Sequence, residues 1–164
     1  MNIEGLLDHF GPNFAEPHRL TPRERDKLRR EIEPVWNGYI NMPLTLLLDD
    51  SNMTRLCQLL TNLGYQTFSS CEGHGREEPH VYFLCRSANK VAELADVIRK
   101  TAITNFSWVV EIDGILSGNR FKAYYALTPR PKRGNFDIVK SRKQLVDDFD
   151  ILGYSIFDHF QHDR

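Results

Sequence analysis

From Pro43 onward the apolar residues change period in a fixed order: strand, helix, strand, strand, helix, strand, strand, helix. That order constrains the fold more than any other feature. Side chains alternate every two residues in a strand and every 3.6 in a helix, so a segment patterned for one cannot bury its apolar side as the other. Residues 44–48 read as a strand buried on both faces. Asp49, Asp50 and Ser51 offer N-caps for a helix with Met53, Leu56, Cys57, Leu60 and Leu63 on one side, closed by Gly64. Residues 65–71 and 81–85 are the second and third strands, and Ser87 caps a helix over 88–101. Residues 106–112 alternate, with Trp108 expected on the packed face, and Asp113-Gly114 predicts a turn into the strand 121–127, which carries Tyr124 to the same face. Ser141 and Gln144 then open a last helix that ends at Gly153.

The first six of these elements match a split βαβ arrangement. The fold class expected is therefore α+β, a ferredoxin-like core with an extra strand and a C-terminal helix. Before it, Thr21-Pro22-Arg23-Glu24 is a capping box that starts a helix, and Pro34 is expected to stop it near Glu33. The first 20 residues show no period and read as an irregular arm. The chain divides into an N-terminal arm and helix over 1–42 and a single α+β domain over 43–164.

The hairpin between the second and third strands carries the unusual chemistry. Ser69-Ser70-Cys71-Glu72-Gly73-His74-Gly75 sets a thiol, a carboxylate and an imidazole within four residues, and His80 begins the next strand. Cys71, His74 and His80 offer one thiolate and two imidazoles to a metal, with zinc the first choice for such donors. The same residues suit thiol chemistry, with Cys71 as nucleophile, His74 as general base and Glu72 as the orienting carboxylate. Backbone N–H groups of the Gly73 to Gly75 loop could instead cradle an anion. Against all three stands a plain solvated hairpin with a packed cysteine. With the first, second and fourth strands running the same way, Asp49, Asp50, Glu111 and Asp113 would gather on the rim where Cys71 leaves its strand. The expected function is binding of a small molecule or metal at that rim, with catalysis left open.

Charge and cysteine content narrow the setting. A formal net charge of -1 argues against a protein that coats nucleic acid, which leaves only the local basic edge of Arg120, Lys122, Arg130, Lys132 and Arg133 for phosphates. Three cysteines without an apolar leader predict a reducing, cytoplasmic location. No apolar run is long enough to span a bilayer, and exposed edge strands leave a homodimer open.

Residues 67–74, Thr-Phe-Ser-Ser-Cys-Glu-Gly-His, resemble a Ser-Cys-x-Gly-His segment that lies between two strands in a group of small bacterial proteins of unassigned activity. The segment is also similar to the Ser-Ser-Cys-Ser-Gly-Arg stretch of the wybutosine-synthesising tRNA methyltransferases. That resemblance implies a site at Ser69, Ser70, Cys71 and Gly73, S-adenosylmethionine as cofactor and RNA as substrate. His74 stands where that family has Arg, and Glu72 where it has Ser.

Overall fold

The computed structural model describes residues 1–10, 20–46, 48, 51–101, 103–132, 137 and 140–162. Five helices and four strands follow in the order α1 (Ile3–Phe10), α2 (Pro22–Ile40), α3 (Ser51–Asn62), β1 (Gln66–Cys71), β2 (His80–Leu84), α4 (Ala88–Lys100), β3 (Ser107–Ser117), β4 (Arg120–Arg130) and α5 (Arg142–His162). The strands form one antiparallel sheet in the order β1-β2-β4-β3. The protein is thus α+β. Among the described residues no helix is long and apolar enough to cross a membrane.

Alternation decides what each sheet face does. Val81 and Phe83 of β2 are fully buried with Leu127 of β4, on the face covered by α3 against β1 and α4 against β3. Helix α5 lies against α2, α3 and α4 and completes the layer with Leu145, Phe149, Leu152 and Ile156. His80, Tyr82 and Tyr124 alternate to the opposite face, which carries no helix among the described residues. Tyr124 is therefore not on the packed face with Trp108. Its ring is covered by Phe68 and Tyr82 instead, at centroid distances of 5.5 and 4.9 Å.

The strand expected over residues 44–48 is not formed at residues 44–46 or 48. The backbone N–H groups of Thr45 and Leu46 both donate to the Gln58 side chain of α3, at 2.7 and 2.9 Å. The place beside β2 is taken by β4, an 11-residue strand that pairs β2 on one side and β3 along its whole length on the other. Three successive antiparallel pairings make β1 parallel to β4 and antiparallel to β3, so the strands that carry Cys71 and Glu111 do not run the same way, contrary to the expectation.

Three further boundaries differ, each for a packing reason. Helix α2 passes through Pro34 to Ile40, because Pro34 lies on the exposed side while Ile32, Trp36 and Tyr39 continue a buried stripe. Helix α5 passes through Gly153, where any Cβ would collide with the Tyr39 ring, so this glycine permits a close helix approach and ends nothing. The β3–β4 turn falls at Gly118-Asn119, with Gly118 at φ +60, and Gly114 sits inside β3 beneath the ring of Phe121. Residues 3–10 form a helix whose Leu6 and Leu7 are fully buried, each such burial contributing about 1.5–3 kcal/mol. Leu6, Leu7, Ile32, Trp36 and Tyr39 belong to the same apolar cluster as Met53, Phe83 and Phe149.

Candidate functional site

Strand alternation splits the Ser-Ser-Cys-Glu-Gly-His segment in two. Cys71 is the cross-strand partner of His80, and Ser69 that of Tyr82, so these four side chains share the helix-free face. A β-bulge at Phe68 swings its ring onto the same face, half-exposed against Tyr82 and Tyr124. Ser70 pairs with Val81 and faces the helices. The four residues implied by the methyltransferase resemblance therefore do not share one surface.

Directly opposed residues on one face of an antiparallel pair have Cβ atoms about 4.5–5.5 Å apart, which puts the Cys71 thiol and the His80 ring in reach of each other. His80 stacks on Tyr82 with centroids 4.2 Å apart and planes 22° from parallel. The Cys71 Sγ–H donates to Glu77 Oε1 at 3.0 Å, and the Gly73 N–H donates to Sγ at 3.3 Å. That N–H is committed to sulfur. The loop backbone is left-handed at three successive residues, Gly73 (φ +83), His74 (φ +46) and Gly75 (φ +73), and the Gly73 carbonyl accepts from Arg76 N and Glu77 N. A Cβ on Gly73 would strike the Glu77 carbonyl, so the tight turn that brings Glu77 back to Cys71 requires glycine there.

Glu72 points the other way. It is 4% exposed, accepts from Asn52 Nδ2 of α3 at 2.9 Å and pairs with Arg142 at the start of α5. Its carboxylate thus sits against the first turns of two helices, where negative charge is favoured. His74 Nδ1 lies 3.5 Å from Glu72 Oε1, so the carboxylate and imidazole expected to act together are neighbours, on the far side of the strand from the thiol. Among the described residues no group of three His, Cys, Asp or Glu side chains is placed to hold a metal ion. Cys71 and His80 oppose each other on the helix-free face, whereas His74 lies beside Glu72.

The supporting acids are also redistributed. Asp49 and Asp50 lie outside the described residues. Because β3 runs opposite to β1, its first residues lie nearest the Cys71 end of the sheet. Glu111 is level with Ala126 and is drawn to Arg130, whose guanidinium is 2.6 Å from Glu111 and 3.5 Å from Glu78. Asp113 lies farther along, accepting from the Tyr124 hydroxyl at 3.2 Å and the Gly114 N–H at 2.7 Å. Burial, with Asp113 as a further cause, pushes both the Tyr82 and Tyr124 hydroxyls above their ordinary pKa. Of the basic edge, Arg120 and Lys122 make no ion pair among the described residues, while Lys132 reaches the Thr104 carbonyl and Arg133 lies outside the described residues.

Glu77 and Phe68 join the site without having been expected there, and Arg130, expected on a basic edge, borders it through Glu111 and Glu78. Glu77 could have been found from the two glycines that fold its segment back. The bulge that turns Phe68 outward leaves no comparable mark. The hydroxyl of Thr128, one residue along β4 from the Leu127 that pairs with Val81, is buried without a hydrogen-bond partner among the described residues.

No family model matches this chain, and neither a curated protein nor a solved structure is significantly similar to it.

Proposed function

We propose that the protein is a ligand-binding domain whose site is the helix-free sheet face at the β1–β2 end. The carrying observation is the cross-strand Cys71–His80 pair beside the ring layer of His80, Tyr82 and Phe68. A half-exposed aromatic layer next to a thiol and an imidazole suits a flat, polar small molecule that stacks on the rings and meets Cys71 at its edge. Glu77 holds the thiol hydrogen, and Arg130 with Glu111 and Glu78 forms the polar border. Glu72 and His74 act here as supports of the loop.

Alkylation tests this directly. Iodoacetamide should modify Cys71 in the folded protein and spare the buried Cys57. A panel of flat heteroaromatic compounds should contain at least one that slows modification of Cys71 and raises the thermal midpoint. Equal modification rates at Cys71 and Cys57, or no protection by any compound, would remove the proposal.

The proposal extends to the fold. Moving the first strand of a ferredoxin-like sheet to the end of the chain gives the observed order of elements, with β4 in the central place. We read the sheet as such a permuted arrangement.

A further inference from the structure

A second cleft, on the covered side of the sheet, lies where β2 passes into α4. It encloses about 610 Å³ and is lined by Gly64, Leu84, Arg86, Lys90, Ala123 and Tyr125 among others. That volume falls within the roughly 300–1,000 Å³ of typical small-molecule sites. Its charge is one-sided: two cations and no acid line it, in a chain whose formal net charge is -1. Two other clefts differ, one bordered by Glu33 and Asp150 and the other by Asp158.

The cations are placed by the fold. Lys90 Nζ donates to the Leu63 carbonyl at 2.6 Å and lies 5.4 Å from the centroid of the Tyr65 ring, while the Tyr65 hydroxyl donates to the Lys90 carbonyl at 2.9 Å. Gly64, at φ +87, leaves the room: a Cβ there would come within 3.1 Å of the ammonium. Lys90 is thus fixed at the cleft by the α3–β1 turn, with N–H groups beyond the one given to Leu63. The Arg86 guanidinium makes no ion pair or hydrogen bond among the described residues and is exposed at the same opening. Opposite these charges the wall is apolar, formed by Ala123 and Tyr125, because β4 runs on past the end of β2 and leaves its inner face open there.

From this charge complementarity we infer that the cleft binds a small organic anion, a phosphate or carboxylate held by Arg86 and Lys90, whose flat apolar body lies on Ala123 and Tyr125. The reading is independent of the Cys71 site, on the other face of the sheet.

Phenyl phosphate is a suitable probe, followed by amide chemical shifts, with inorganic phosphate and benzyl alcohol as comparisons. Phenyl phosphate should shift resonances of Gly64, Arg86, Ser87 and Ala123 at millimolar concentration and bind more tightly than either comparison. Arg86→Gln should weaken it about tenfold, the scale of one charge-assisted hydrogen bond. Ala123→Glu, at an exposed position of β4 on the same face as Tyr125, should abolish binding with far-ultraviolet circular dichroism unchanged. Four outcomes would overturn the inference: no shifts at these residues; unchanged affinity in Arg86→Gln; equal binding of inorganic phosphate; or a concentration-dependent dimer, dissociated by Ala123→Glu but not by phenyl phosphate, which would give the cleft to a second copy.

Discussion

Glu72 and Asp148 are both acids buried by the fold, and their partners differ in kind. Asp148 accepts from the backbone N–H groups of Asn105 and Phe106, at 2.6 and 3.0 Å, and from the Trp108 indole at 2.8 Å. It therefore fixes the chain that leads into β3. Glu72 is held by side chains, among them Asn52, Arg142 and His74, and Arg142 is itself 54% exposed. Backbone donors cannot leave without unfolding a segment, whereas side chains can rotate into water. The first acid is a lock on the sheet, the second a tie between a loop and two helix ends.

Removing the lock should have the larger effect. Asp148→Ala strands the buried donors of Phe106 and Trp108 and releases Asn105, and is expected to lower stability by about 3–5 kcal/mol, read from urea unfolding. Glu72→Gln keeps an oxygen for Asn52 and loses the charge facing the half-exposed Arg142 and His74, so about 1–2 kcal/mol is expected. A loss as great as that of Asp148→Ala would erase the distinction. The smallest effect is in pH. Burial raises the Asp148 carboxyl above its usual 3.8, against the pull of the Asn105, Trp108 and Phe106 donors. The folded state then keeps this proton to higher pH than the unfolded state, so its contribution is fully present below the unfolded value and declines as pH rises through the folded one. The stability difference between the wild type and Asp148→Asn should fall over that window and stay level above it; a rise would show that the hydrogen bonds outweigh burial.

Much of the local structure was legible because it depends on near neighbours. The Thr21–Glu24 capping box, the Ser87 cap, the positive φ at Gly64 and the hairpin around Cys71 all follow from residues within a few positions of one another. What could not be read depended on distant packing. Residues 44–48 have the composition of a buried strand, but their place in the sheet went to β4, a choice made some 80 residues later in the chain. Gly153 and Gly114 look like stops, and only the Tyr39 and Phe121 rings laid over them show otherwise. In the site, the residues were named correctly as a cluster in sequence, yet one bend of β1 sends Cys71 and Glu72 to opposite sides. Period-two alternation predicts that split once the strand is known to run through Cys71.

The strand order has a temporal meaning as well. The inner position beside β2 is filled by the last strand, so a chain emerging from the ribosome holds β1 and β2 as a lone pair and β3 with no neighbour until Arg130 is out. The sheet is not built outward from its centre. Its inner strand β4 arrives last and joins the β1–β2 pair to a strand that until then has no partner in the sheet.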